Sequence, residues 1–74
     1  MYMVVTFGIS CGKPFCNVLS VHDTADQAHA AVAEWVDFDG GYTAADNGDY
    51  IKKTRIGDYA VDSFIGIRKP AYKN

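Results

Sequence analysis

Hydrophobic and polar residues alternate along the first third of the chain. Between Met3 and Cys11 the odd-numbered positions are all apolar, and a period of two is typical of a half-buried strand. The run Phe15 to His22 again places its larger apolar residues on odd positions. Residues 12–14, Gly-Lys-Pro, supply turn chemistry between the two runs. The pattern therefore predicts two strands joined as a β-hairpin.

The period changes to that of an α-helix after residue 23. Thr24 followed three residues later by Gln27 fits a capping box, which satisfies free amide groups at a helix start. Helical spacing of apolar residues continues to about Val36, and Gly40 and Gly41 favour the positive φ that ends a helix. The stripe predicted to face the sheet consists of Ala28, Ala31, Val32 and Trp35. We expect Trp35 to anchor the core.

The second half of the chain predicts another hairpin. Residues 50–56 and 59–69 alternate as strands about the Gly57-Asp58 turn. Residues 42–50 leave two alternatives open, a type I′ turn at Asn47-Gly48 and a short helical turn over 43–46, and we treat them as loop. Pro70 ends the last strand, and residues 70–74 are expected to form a loose tail.

These elements predict an α+β fold. We expect one domain over residues 1–74, with an antiparallel sheet of about four strands and one helix packed on one face, in ββαββ order. The length of 74 residues and the 49% hydrophobic content suit a small globular domain. A chain of this size has little room for an enclosed substrate pocket, which favours a binding module over an enzyme. A homodimer through an exposed strand edge is compatible with this architecture.

Charge is distributed unevenly along the chain. Residues 23–49 contain seven acidic residues and no Lys or Arg, while residues 50–74 contain six basic residues and two acidic ones. The formal net charge of −2 hides this division. An asymmetry of this kind indicates a charged partner.

The acidic segment provides the first candidate site. Its carboxylates have no basic neighbours to pair with along a helix, so some of them must face solvent as a negative patch. Aromatic residues beside them suit docking onto a basic groove of another protein. The predicted partner-binding residues are Asp37, Phe38, Asp39, Tyr42, Asp46, Asp49 and Tyr50. A face that only improves solubility remains the alternative interpretation.

The basic end of the chain provides a second candidate site. Basic side chains interleaved with aromatic rings are typical of surfaces that bind single-stranded nucleic acid. The residues predicted for this alternative are Lys52, Lys53, Arg55, Arg68 and Lys69. Several basic residues in a pair of strands are also what an exposed sheet face looks like.

Sequence motifs for catalysis, cofactors or metals are weak. Cys11 and Cys16 flank a short loop at a spacing that permits a disulfide if the two are directly opposed. Counting from Asp37, the twelfth position that a calcium-binding EF-hand needs as an acid is Gly48. We therefore expect no enzyme activity, no cofactor and no metal. The first 22 residues suggest neither a cleavable signal nor a membrane span, so a cytoplasmic protein is expected.

The order of elements and the segment DTADQAHAAVAEW at residues 23–35 resemble those of small phage-encoded host-inhibitory proteins. These include anti-CRISPR proteins and phage inhibitors of bacterial RNA polymerase, compact domains that bind one host machine without activity of their own. The resemblance covers about half of the chain. It implies a non-catalytic inhibitor of a bacterial nucleic-acid-handling machine, acting in the cytoplasm of a bacterial host. The implied partner is a host protein or nucleoprotein complex with a basic surface.

Overall fold

The computed structural model describes residues 1–69, so the tail predicted for residues 70–74 lies outside the described region. The elements are β1 (Tyr2–Ser10), β2 (Lys13–His22), α1 (Ala25–Asp39), β3 (Thr43–Ala44), β4 (Tyr50–Ile56) and β5 (Tyr59–Arg68). The α+β class is confirmed. The sheet has five strands rather than the four that we predicted, and the order is ββαβββ rather than ββαββ.

The sheet is antiparallel, with strand order β2-β1-β5-β4-β3. The two strands at its centre, β1 and β5, are far apart in sequence. Their register places Val4 opposite Ile67 and Phe7 opposite Phe64. The β1–β2 register shifts between Val4 and Val5, so the extra residue Leu19 forms a bulge in β2.

The fifth strand comes from the segment that we interpreted as a loop. Thr43 lies opposite Ile51 and Ala44 lies opposite Tyr50. The hairpin closes through a backbone bond of 2.8 Å from the amide of Ala45 to the carbonyl of Asp49. A strand of two residues is too short to show the alternation on which strand prediction depends.

The β1–β2 turn decides whether Cys11 and Cys16 are directly opposed. Ser10 lies opposite Lys13, so the turn contains only Cys11 and Gly12, with φ values of 50° and 83°. Left-handed values at both positions suit the twist of a two-residue hairpin. Cys16 lies opposite Phe7, three pairs away from the turn, and both thiols are free and exposed. The two cysteines are therefore not opposed, so the condition under which their spacing permits a disulfide is not met.

The predicted helix start is confirmed by its hydrogen bonds. The Thr24 hydroxyl accepts from the Gln27 amide at 3.2 Å, and the Gln27 side chain accepts from the Asp23 amide at 3.3 Å. At the other end, the Gly40 amide donates to the Val36 carbonyl at 2.9 Å, and Gly40 has a φ of 70°. The helix runs to Asp39, three residues beyond the predicted end at Val36.

The core lies between α1 and the β1–β5 centre of the sheet. Val4, Ala28, Val32 and Ile65 form its buried cluster. Our assignment of Trp35 as the core anchor is wrong, because 39% of this residue is exposed. The small residues Ala28 and Val32 bring the helix close to the sheet. Val36, which packs against the core cluster, completes the contact on the next turn.

The opposite side of the sheet is uncovered over residues 1–69. Residues paired across strands share a face, so the odd positions of β1 point away from α1, which packs on the Val4 side. We call this side the open face. Its apolar members are Met3, Val5, Phe7, Ile9, Pro14, Cys16, Val18, Val21, Ile51, Ala60 and Phe64.

Gly8 offers a direct test of the central strand pairing. It has a φ of 154°, and a Cβ placed there would overlap the Asp62 carbonyl oxygen of the paired strand. We expect Gly8→Ala to lower the free energy of unfolding by about 3 kcal/mol or more, because backbone must shift to relieve the overlap. Urea unfolding followed by circular dichroism measures the change.

Gly12→Ala is the matched control. Gly12 has a φ of 83° but no atom within 4 Å of an added Cβ, so its substitution should cost only about 1 kcal/mol of backbone strain. Equal unfolding midpoints for the two variants would contradict the role given to Gly8.

Candidate protein-binding surface

The last turns of α1 present two aromatic side chains to solvent. Phe38 is 86% exposed and Trp35 is 39% exposed. Their spacing of three residues places them on the same side of the helix. Single exposed apolar residues are common, but two adjacent aromatic rings at a helix end form a patch that suits contact with a partner.

Carboxylates flank this aromatic pair. Glu34 and Asp37 are exposed and line a cavity of about 540 Å³ together with Trp35 and Phe38. The helix contains four acidic residues and no Lys or Arg, so no basic residue on α1 neutralises them. The patch is therefore both apolar and negatively charged.

Asp39 connects the helix end to the sheet. Its carboxylate accepts from the Tyr42 hydroxyl at 3.0 Å and lies 3.4 Å from the Lys52 ammonium. That ammonium also donates to the Asp39 carbonyl at 3.3 Å and lies 5.6 Å from the centre of the Tyr42 ring. Burial, together with the hydrogen bond to Asp39, raises the pKa of Tyr42 to about 12, so Tyr42 remains a hydrogen-bond donor at neutral pH.

The structure brings together four of the seven predicted partner-binding residues. A second cavity of about 200 Å³, between the helix end and the sheet, is lined by Trp35 and by the predicted residues Phe38, Asp39 and Tyr42. The fourth predicted residue, Asp37, lines the first cavity together with Phe38. We define the acidic aromatic surface as Glu34, Trp35, Asp37, Phe38, Asp39 and Tyr42. The predicted residue Asp46 lies apart from it, exposed in the β3–β4 turn.

Asp49 and Tyr50 belong to the interior. Tyr50 packs against the core cluster. Asp49 is 5% exposed, and its two carboxylate oxygens accept from the Arg68 guanidinium at 2.9 and 2.7 Å. A Cβ at Gly66 would overlap the Asp49 carboxylate, so the glycine provides the space for this ion pair. A partner has little access to Asp49.

The predicted basic residues are divided between the two sides of the sheet. Lys52 lies on the helix side and contacts Asp39, whereas Lys53, Arg55 and Arg68 belong to the open face. Arg55 pairs with Asp62 at 2.7 Å, and the Lys69 ammonium lies 5.6 Å from the centre of the Tyr2 ring. Three of the five predicted residues, Lys52, Arg55 and Arg68, therefore already have acidic partners.

Glu34, Trp35 and Gly66 were not among the predicted site residues. Helical spacing from Ala28 predicts Trp35 on the stripe that faces the sheet, whereas its spacing of three residues from Phe38 also fits an exposed stripe. An isolated glycine within a strand often marks close approach of another group, and Gly66 had that signal. Among residues 1–69, no group of three His, Cys, Asp or Glu side chains is arranged to hold a metal ion.

The Asp49–Arg68 pair predicts a pH-dependent stability. The hydrogen bonds from Arg68 hold the pKa of Asp49 below its usual value. The pair therefore contributes its full stabilisation of the fold above about pH 4, and this stabilisation is lost as the pH falls through the lowered pKa. At pH 7, Asp49→Asn should cost about 2 kcal/mol, less than a fully buried pair because Arg68 is partly exposed. The difference in the free energy of unfolding between Asp49→Asn and the wild type should become smaller in acid.

Chemical unfolding at pH 7 and at about pH 2.5 checks this prediction. Asp46→Asn in the same loop is the control and should match the wild type at both pH values, because Asp46 is exposed. A stability gap for Asp49→Asn that is equally large in acid would contradict the ion-pair explanation.

No helix within residues 1–69 is long and apolar enough to cross a membrane. Comparison of the chain with protein-family models, with curated proteins and with solved structures finds no match in any of the three.

Proposed function

We propose that the protein is a non-catalytic binding module whose acidic aromatic surface docks onto a basic surface of a partner protein. The observation that carries the proposal is Phe38, which is 86% exposed in the last turn of α1 beside Trp35 and among carboxylates. The partner class that this surface fits best is a bacterial nucleic-acid-handling machine, which the protein inhibits by occupying its basic groove.

The exposure of Phe38 supports a role in binding. Burying a phenylalanine side chain lowers the free energy by about 1.5–3 kcal/mol. In the free protein Phe38 is not buried, so a partner that covers it would gain this stabilisation. Aromatic side chains that become buried at the centre of an interface supply much of its binding energy. Phe38, with Trp35 one turn away, has the exposure and the spacing of such an anchor.

The placement of the acidic residues supports the same role. The C-terminal end of a helix carries a partial negative charge, so acidic residues there oppose the helix dipole and basic ones favour it. The last turn of α1 has no basic residue and contains Asp37 and Asp39. This arrangement does not improve helix stability. Asp39 is paired with Lys52, whereas Asp37, like Glu34 one turn earlier, has no ion pair within residues 1–69 and places negative charge next to the aromatic pair.

That field suits surfaces that bind nucleic acid. Such surfaces carry clustered Lys and Arg side chains, because they neutralise phosphates. A carboxylate patch attracts the same side chains and accelerates association, while the aromatic rings determine how long the complex lasts. The proposed inhibitor therefore competes with nucleic acid for its partner's basic groove.

Affinity capture tests the surface. Tagged wild-type protein should retain a stoichiometric host protein from nuclease-treated bacterial lysate, and Phe38→Ala should reduce capture about tenfold or more, because it removes the anchor. Asp37→Lys should also reduce capture, with an effect that shrinks as salt concentration rises. Mass spectrometry identifies and quantifies the captured protein.

Asp58→Lys is the matched control for Asp37→Lys. It makes the same charge change at an exposed position in the β4–β5 turn, so it should leave capture unchanged. Urea unfolding first establishes that each variant has the same midpoint of unfolding as the wild type. Equal capture by the wild type and Phe38→Ala would overturn the proposed surface.

Binding of single-stranded nucleic acid is the second candidate function. The observation in its favour is that Lys53, Arg55 and Arg68 share the open face with Phe7 and Phe64. Two contacts weaken it. The Phe7 and Phe64 rings stack on one another at 5.3 Å, and the Arg68 guanidinium lies 5.1 Å from the Phe7 ring, so these ring faces are largely occupied.

Fluorescence anisotropy with a labelled single-stranded oligonucleotide tests this second candidate. If the open face binds nucleic acid, affinity should fall steeply between about 50 and 200 mM salt, and Lys53→Ala should weaken it. From the ion pairs already present, we expect no binding at either salt concentration. Salt-sensitive binding that Lys53→Ala reduces would reverse this preference.

A further inference from the structure

The open face is apolar where a solvated sheet face is normally polar. Antiparallel sheets with one face in water alternate apolar residues inward and polar residues outward. Here the outward positions of β1 and β2 include Ile9, Val18 and Val21, which are 51%, 55% and 52% exposed. The stacked pair of Phe7 and Phe64 lies on the two neighbouring central strands. No helix or strand within residues 1–69 lies over these side chains, and the Arg68 guanidinium lies 5.1 Å from the centre of the Phe7 ring.

The charges on the open face largely neutralise one another. Arg68 pairs with Asp49 and Arg55 pairs with Asp62, each at 2.7 Å. Among the charged residues that this face presents in the described part of the chain, Lys53 has no ion pair. A surface in this condition does not repel an identical surface strongly.

The helix side has the opposite property. Its exposed helix carries Asp26, Glu34, Asp37 and Asp39 without a basic residue. Of these four, Asp39 is paired with Lys52 of the same side, and the other three have no ion pair within residues 1–69. Two such sides brought together would place like charges opposite one another, which costs several kcal/mol. Of the two broad sides of the molecule, only the open face suits contact between identical chains.

We propose that the open faces of two copies pack against each other as a symmetric homodimer. Each copy contributes the same residues across a two-fold axis, and the product is a two-sheet sandwich with the sheets about 10 Å apart. Val18, Ile9 and the Phe7–Phe64 pair of each copy become buried. The helices lie on the outside of the dimer.

The size of the open face agrees with this arrangement. Four long strands span about 19 Å across the sheet and about 30 Å along it, which gives a projected area of about 570 Å². The relief of the side chains raises the accessible area above that projection. Specific interfaces bury at least about 600 Å² on each partner, so the open face reaches the lower end of that range when most of it is covered.

The dimer is independent of the function proposed for the acidic aromatic surface. Because α1 packs on the opposite side of the sheet, dimerisation leaves Trp35 and Phe38 exposed in both copies. Each dimer then presents two acidic aromatic surfaces facing away from each other. Loss of capture by Phe38→Ala and loss of dimerisation are therefore separate results.

Sedimentation velocity between about 1 and 300 µM tests the proposal, and the wild type should change from monomer to dimer within this range. Val18→Lys and Ile9→Lys place a charge on the open face and should each raise the dissociation constant at least tenfold. Both side chains are half exposed in the monomer, so these variants should fold. Ile56→Lys is the control and should dimerise like the wild type, because Ile56 is 70% exposed in the β4–β5 hairpin on the helix side.

The two cysteines provide an independent readout. Cys16 belongs to the open face, whereas Cys11 lies in the β1–β2 turn, and both are exposed in the monomer. As protein concentration rises, alkylation of Cys16 by N-ethylmaleimide should slow at least fivefold relative to alkylation of Cys11. Val18→Lys should remove that protection.

Two results would overturn the proposal. One is a wild-type protein that stays monomeric to 300 µM with a constant ratio of the two alkylation rates. The other is a dimer that still forms when Ile9 is replaced by Lys. Because Ile9 lies on β1, one strand inside the sheet edge, a charge there disrupts face-to-face packing but leaves the edge of the sheet free to pair. That dimer would instead form through the free edge of β2.

Discussion

The pairing of β1 with β5 is the interaction on which the rest of the structure depends. It joins the β1–β2 and β4–β5 hairpins into one sheet. The helix packs where they meet, because its contacts are with β1, β2 and β5. The buried residues Val4 and Ile65 come from these two strands. Without this pairing, α1 has no surface wide enough to cover, and its capped ends alone do not stabilise a helix of 15 residues.

The same pairing separates two surfaces of different chemistry. On one side, the end of α1 presents exposed aromatic rings beside the carboxylates of Glu34 and Asp37, which form no ion pair within residues 1–69. On the other, apolar strand residues surround ion pairs that cancel. A small domain with a narrow margin of stability leaves so much apolar area in water only at some cost. These are the two surfaces for which we propose partners, a basic protein surface for the helix side and a second copy of the chain for the open face.

Local patterns were sufficient to predict much of this fold. The bounds of β4, the Thr24 cap and the Ala28–Val32 stripe follow from turn residues and periodicity within a few positions. Local patterns do not determine which face of the sheet the helix covers, because that face depends on a β1–β5 register between residues about sixty positions apart. Trp35 was misplaced for this reason. The interior position of Asp49 was also hidden, since its partner Arg68 is 19 residues away and the space for both is provided by Gly66.

The sequence distance between β1 and β5 also affects how the chain acquires its structure during synthesis. About fifty residues separate the end of β1 at Ser10 from the start of β5 at Tyr59. At about 5–20 residues per second, a ribosome needs roughly 3 to 10 s to make them. During that interval the β1–β2 hairpin has neither its central neighbour nor a completed core, and apolar side chains on both of its faces are in water. Aggregation competes most strongly with folding in this nascent state, before the two strands meet.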